Sequence, residues 1–326
     1  MLRREFSLSA LGLLGAAVGT RPAAAQAPYP TRTVTIVAPF AAGGSTDLIA
    51  RLMAQQLSAR LGQQFVVDNR AGGNGAVGCG AVARARPDGY TLLITPNSTY
   101  AINPHLYTNL PYNQDRDFSP IGLLVQNGFF LVVRGDSRFR TLADLVAAAR
   151  AAPDTISYGS GGIGSANHLA PEMFAAASGI KLQHVPYRGS GPGMQAVITG
   201  EIPMSFVDTG VALPFMRSGE LRALAVTTEQ RSPQTPDVPT LSESGMPGLS
   251  ASSDFAMFAP ANTPAPVIRR LSQAVVESMR APDLRERLQS LAIDPVGGTP
   301  EEFPAYLAAE SAKWRDVIRA RDIRVE

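Results

Sequence analysis

The sequence predicts an α/β protein with parallel sheets, long enough to divide into two lobes. Three observations predict it. Short β-branched and apolar runs alternate with helical patterns along the chain. The order strand, glycine-rich loop, helix occurs at residues 33–61 and again from residue 156. The chain has 326 residues, and about 300 remain once an export signal is removed, enough for a large buried core.

The first 25 residues read as that signal. Arg3 and Arg4 precede a moderately apolar run over 6–18, and Ala23, Ala24 and Ala25 supply small residues for cleavage. Arg3-Arg4-Glu5-Phe6 fits a twin-arginine signal as well as an ordinary one, so both export routes stay open. The apolar run falls short of the roughly 20 residues a membrane helix needs, and no cysteine follows it to carry a lipid. A soluble mature protein in the periplasm is expected. The formal charge of the whole chain is +2. Cleavage after Ala25 removes Arg3, Arg4, Arg21 and Glu5 and leaves the mature chain near zero, with no basic footprint for nucleic acid. Cys79 is the only cysteine; it can form no intrachain disulfide and reads as a small core residue.

In chain order, Thr33-Val34-Thr35-Ile36-Val37 suits a strand, and Pro39 ends it. Ala41-Ala42-Gly43-Gly44 is a loop almost without side chains. Ser45 or Thr46 is expected to cap the next helix, with Asp47 in its first turn and Leu48, Ile49, Leu52, Met53, Leu57 and Leu61 at helical spacing. That geometry turns backbone N–H groups toward a ligand and favours an anion. A second strand at 64–68 leads through Arg70-Ala71-Gly72-Gly73-Asn74-Gly75 into a small-residue helix to about residue 85. After the turn Pro87-Asp88-Gly89-Tyr90, a strand at 91–95 ends in the polar loop Pro96-Asn97-Ser98-Thr99. Residues 121–125 and 129–133 read as two apolar strands, and Thr141 with Asp144 as a capping box.

The opening pattern then recurs: strand at 156–158, loop 159–165 of serine and glycine, and a helix carrying Leu169, Met173 and Phe174. A strand at 182–185 ends in Pro186-Tyr187-Arg188-Gly189 before a helix through Met194, Val197 and Ile198. Strands follow at 202–207, ending on Asp208, and at 221–226. Residues 232–248 form a connector, 254–259 a strand, and Thr263-Pro264 and Thr299-Pro300 open the last two helices.

Two segments match G-x-G-x-x-G, at 73–78 and 159–164. Neither has a strand-end acid about 20 residues on, which counts against a dinucleotide. His105, His168 and His184 form no zinc spacing, and no G-x-S-x-G marks a nucleophile elbow. His168 is a packed or capping residue or a ligand contact. Arg188 is a surface arginine or a bidentate partner for a carboxylate. Asp47 serves the helix start first and a ligand second; Asp208, at a strand end, fits either role.

Together, Val37-Ala38-Pro39-Phe40-Ala41-Ala42-Gly43-Gly44-Ser45-Thr46-Asp47, Val67-Asp68-Asn69-Arg70, Pro87-Asp88-Gly89-Tyr90-Thr91-Leu92-Leu93, His168-Leu169-Ala170 and His184-Val185-Pro186-Tyr187-Arg188-Gly189 resemble the tripartite tricarboxylate transporter receptors, the TctC-like or Bug proteins. The resemblance runs from about Tyr29 to the C-terminus. It implies a two-lobe periplasmic binding protein of type II with two interlobe crossovers, near Phe129 and near Asp254. Lobe one is expected at 28–128 plus 252–326 and lobe two at 129–251. It further implies closure on a small carboxylate and delivery to permease subunits, by a monomer without cofactor, metal or catalysis.

By the same resemblance the ligand meets backbone amides of two loops. One holds Phe40, Ala42, Gly43, Gly44 and Asp47; the other holds Ser160, Gly161, Gly164, Ser165 and His168. Asn97, Ser98, Tyr187, Arg188 and Gly189 are secondary contacts. Asp254-Phe255 stands where the family often has a tryptophan-led pair. A receptor for a sensor kinase and an exported hydrolase are the competing readings. A Gly43→Val side chain is expected to block ligand approach.

Overall fold

The computed structural model describes residues 29–325; the expected export signal lies outside the described residues. The chain opens with β1 (Val34–Ala38), α1 (Ser45–Leu61), β2 (Phe65–Asn69), α2 (Ala76–Ala83) and β3 (Thr91–Pro96). A π-helical turn at Ser98–Ile102 runs into α3 (Asn103–Leu106) and α4 (Gln114–Asp117). Next come β4 (Phe118–Arg134), α5 (Leu142–Ala151), β5 (Ser157–Ser160), α6 (Ala166–Ser178), β6 (Gln183–Pro186) and α7 (Ser190–Thr199). The remainder is β7 (Met204–Asp208), α8 (Thr209–Arg217), β8 (Leu221–Val226), β9 (Ser252–Pro260), α9 (Ala265–Arg280), α10 (Pro282–Gln289), β10 (Asp294–Pro295) and α11 (Phe303–Ala320).

The strands make two sheets that share β4. The first runs β2-β1-β3-β9-β4, with β10 on the other edge of β4. Here β1 is parallel to β2 and β3, while β9 runs antiparallel to β3 and β4. The second runs β4-β7-β5-β6, with β8 also on β4. Its β5 is parallel to β6 and β7, and β7 and β8 oppose β4. The expected parallel βα units are therefore present in each sheet, and the strands that cross between lobes add the antiparallel pairs.

One expectation needs correction. Residues 121–125 and 129–133 are not two strands but parts of β4. Between them Gln126, Asn127 and Gly128 pair with Asp254, Ser253 and Ser252 of β9, so the ladder continues through the polar gap. Polar side chains there mark the crossing from one sheet to the other. From Phe129 onward β4 pairs with β7 instead. Thr227 clamps the return crossing: its hydroxyl accepts the Phe129 N–H at 2.8 Å and donates to the Ala251 carbonyl at 2.6 Å.

Alternation along β4 supplies two cores. Phe130 and Val132 pack with Val197, Val207 and Leu213 under α7 and α8. Phe129, Leu131 and Val133 join a larger core that runs through Tyr158, Phe174 and Phe206 to Tyr100, Phe258 and Trp314. A third core lies between the first sheet and α1, α9 and α10, around Ile36, Met53, Leu57, Leu92 and Val275. Cys79 is fully buried, and burial pushes its thiol up to about 12, which leaves it inert. The Thr141–Asp144 capping box is formed on both sides.

Candidate functional site

Four helices direct their N-termini into one hollow between the lobes. The residues that precede α1, α6, α7 and α8 are Gly44, Ser165, Gly189 and Asp208, and all four line it. In none of these helices does the side chain of that preceding residue cap the first turn. The leading N–H groups of a helix lack intrahelical acceptors, and the peptide dipoles place about half a positive charge there. Their convergence favours an anion. The hollow measures about 30 Å³, room for one water, because the lobes almost touch. A Cβ on Gly44 would lie 3.5 Å from Ser190 Oγ, and one on Gly191 3.2 Å from the Gly43 carbonyl. Phe40, Pro96 and Phe255 supply an apolar wall.

In the first loop, Gly43 has φ +82, a left-handed conformation that side chains strain, whereas Gly44 is extended at φ −91, ψ 177. Ser45 and Thr46 do not cap α1; they are its first residues, buried against the hollow. Asp47 instead reaches back out of the helix, its carboxylate accepting the Gly43 N–H of the loop at 3.1 Å. Arg51, one turn on, pairs with Asp47 at 2.9 Å. Burial opposes ionisation of Asp47, but the Arg51 guanidinium and the Gly43 N–H outweigh it and hold its carboxyl below the usual range. Asp47→Ala should therefore cost about 1–2 kcal/mol, chiefly through the lost charged hydrogen bond to the Gly43 N–H, and a urea unfolding curve reads the loss. The Arg51 side chain is more than half exposed, so its share is small.

The second loop is braced from behind. Asn167 Oδ1 accepts the Gly161 N–H at 3.0 Å, Ser160 Oγ the Gly162 N–H at 3.1 Å, and His168 Nδ1 the Gly164 N–H at 3.1 Å. Across the hollow, Ser98 Oγ accepts the Ala166 N–H at 3.1 Å and ties the two lobes. The bare amides expected here are thus engaged, and the loop presents Gly161, Ser165 and Asn167 as a preset surface. His168 stacks on His184 with ring centres 3.9 Å apart, and His184 Nε2 lies 2.6 Å from Ser160 Oγ. Burial drives His168 down to about 4. Burial, aided by the His168 charge, drives His184 to about 3, so both rings are neutral at ordinary pH.

Asp208 ends β7 and is 3% exposed. The hydroxyls of Ser45, Ser190 and Ser253 face its carboxylate, and Asn127 Nδ2 lies 3.5 Å away. Burial pushes its carboxyl up to about 6 against the lowering effect of those hydroxyls. Ser45 Oγ faces Asp208 without closing a well-formed hydrogen bond. Among the described residues no group of three or more His, Cys, Asp or Glu is placed to hold a metal.

The sequence profile of the tripartite tricarboxylate transporter family receptor matches residues 49–323. The chain belongs to that receptor family. A protein of Pseudomonas sp. strain P51, described as a UPF0065 protein in the tcbD-tcbE intergenic region, is 40% identical over 292 residues, spanning 89% of this chain and 86% of its own length. An R. palustris protein solved with adipate superposes with a TM-score of 0.88 at 34% identity, covering 91% of this chain and 99% of that one. The periplasmic binding protein BugD gives a TM-score of 0.87 at 33% identity, covering 91% and 100%. The fold is the two-lobe periplasmic binding protein expected from the resemblance, and the family is one of solute receptors, not enzymes.

On this receptor fold the anticipated site residues divide. Phe40, Gly44, Ser98, Gly161, Ser165, Gly189 and Asp208 line the hollow. Ala42 and Gly43 lie on the solvent side of their loop, with Asp47 behind it. Ser160, Gly164 and His168 brace the second loop from within. Asn97 is fully buried but turned away, donating to the Ser252 carbonyl and to Glu310. Tyr187 donates to Glu201, and Arg188 is exposed, so neither side chain enters the hollow. Of the unusual pair, Phe255 lines the hollow while Asp254 accepts from Tyr306 at 2.7 Å on the other face of β9. Ser190 and Ser253 were not anticipated, and Asn167 only as part of the loop 160–168. Only Ser190 carried a signal, as the first polar residue after Gly189.

Proposed function

We propose that this chain is an extracytoplasmic solute receptor that closes on a small carboxylate in the interlobe hollow and delivers it to the permease subunits of a tripartite transporter. The observation that carries this reading is the convergence of four helix N-termini, none capped by the side chain of its own preceding residue, on one hollow that among the described residues no cationic side chain lines. Backbone donors from α1 and α7 would hold the carboxylate from opposite sides. An R. palustris relative solved with adipate supports the ligand class. The lobes are assigned as residues 28–128 plus 252–326 and 129–251, hinged where β4 and β9 cross. The mature monomer works in the periplasm after export by a general or twin-arginine route.

Thermal-shift screening against mono-, di- and tricarboxylates, aromatic acids and acidic amino acids tests the proposal. A ligand at 100 times its Kd should stabilise the protein by about 2.7 kcal/mol. A panel in which no carboxylate raises Tm would overturn it.

A further inference from the structure

We infer that the cleft behind β4 and β9 is a second binding site, built for a short linear diamine held between Asp254 and Asp294. It lies apart from the hollow between the lobes and does not depend on what that hollow binds. Strand alternation divides the two. Along β9, Ser253 and Phe255 line the hollow, whereas Ser252 and Asp254 line the cleft. Along β4, Asn127 faces Asp208, whereas Gln126 and Gly128 line the cleft. The cleft measures about 850 Å³, within the range of small-molecule sites. Its walls come from residues 226–234 after β8, from the end of α10 and β10, and from Glu310 and Lys313 of α11.

Three adjacent strands set the spacing. Asp254 of β9 pairs with Gln126 of β4, and Gln126 pairs with Asp294 of β10. Directly opposed residues share one face of a sheet. The two acids therefore flank Gln126, their Cα atoms about 10 Å apart across two strand spacings. Asp254 is 1% exposed, and its Oδ1 has no hydrogen-bond partner. Its Oδ2 accepts from two neutral donors, the Tyr306 hydroxyl at 2.7 Å and Gln126 Nε2 at a long 3.3 Å. A buried carboxylate oxygen without a donor is costly, and an ammonium supplies a charge-assisted one. Gln126 is exposed; by swinging out it opens the way to Asp254 at the loss of one weak bond. The cations of the cleft are engaged already. Arg231 pairs with Glu243 at 2.8 Å, and Lys313 lies 3.8 Å from Glu310 and over the Trp314 ring. Asp294 is exposed at the rim, placed for the second ammonium. A bare metal ion fits less well, because no group of three or more His, Cys, Asp or Glu among the described residues is placed to hold one.

The test is calorimetric titration of the full mature protein with putrescine, cadaverine, butylamine and calcium chloride. One of the diamines should bind at one site per chain, about 10-fold or more tighter than butylamine. Asp294→Asn, a change at an exposed edge, should keep the fold and bring that diamine down to the monoamine level while leaving butylamine unchanged. Asp254→Asn should weaken both amines. Where it fails to fold, Gln126→Ala serves: it uncovers Asp254 and should tighten the diamine. Asp136→Asn removes an exposed carboxylate outside the cleft and should change nothing. Absence of diamine binding, equal affinity for butylamine, or a loss in Asp136→Asn as large as in Asp294→Asn overturns the inference. Calcium bound more tightly than either diamine overturns it as well, making the cleft a site for an inorganic cation.

Discussion

Gly44→Val should reduce carboxylate affinity by at least about 100-fold, equivalent to about 2.7 kcal/mol, while leaving Tm nearly unchanged. Gly44 is extended, a conformation that a β-branched residue adopts without strain. Its Cβ would already sit in contact, 3.5 Å from Ser190 Oγ and 3.6 Å from the Gly191 amide. The two methyls of valine extend beyond that contact into the space between α1 and α7, where the lobes meet. Closure stops, and the donors of α7 cannot reach a ligand held on α1. Gly44→Ala, adding only the tolerated Cβ, should lose far less. Calorimetric titration of both variants checks the order, and undiminished affinity in Gly44→Val would move the site elsewhere. The sequence alone pointed to Gly43 for this experiment. That position is wrong for it: a Cβ on Gly43 meets nothing within 4 Å, and its φ of +82 would strain the loop without filling the hollow.

Acid should destabilise the protein, and Asp208→Asn should steepen the effect. His168 and His184 have folded pKa values near 4 and 3, below their ordinary 6.5. Their stabilisation is complete above the unfolded value and is lost as pH falls through 6.5 toward 3, because the unfolded chain takes up two protons that the folded one refuses. Asp208 acts in the opposite sense. Its carboxyl rises from 3.8 to about 6 on folding, so between those values the folded state holds a proton that the unfolded chain has lost. Each proton is worth about 1.4 kcal/mol per pH unit. Near pH 5 these three groups therefore give a net loss of about 1.4 kcal/mol per pH unit of acidification in wild type and about twice that in Asp208→Asn. Urea unfolding at closely spaced pH values from 4.5 to 5.5 measures both slopes, and their difference cancels every group the two proteins share. Identical slopes would mean that Asp208 titrates normally.

Legibility varied with how local the determining physics is. The first loop and α1 were readable because a β-branched run, Pro39, two glycines and apolar residues at helical spacing all act within one short stretch. The cap was misread, since Ser45, Thr46 and Asp47 compete for the same turn and only the folded chain shows the carboxylate reaching Gly43. α8 escaped notice altogether. Gly210 and Pro214 argue against a helix by propensity, and burial of Val211, Ala212 and Leu213 against the second sheet overrides them. Missing α8 hid the fourth N-terminus and left Asp208 as a bare strand end. The bracing of the second loop by Asn167, and the approach of Ser253 to Asp208, depend on contacts between distant segments that no spacing rule encodes.

β4 belongs to neither lobe alone. A gene fragment encoding residues 129–251 would sever that strand at its middle, and the complementary fragment would lose the other part. Each piece would then expose raw strand edges to other chains, an invitation to aggregate. Dissection of this receptor into separately expressed halves should for that reason yield insoluble material, however well bounded the halves look in outline.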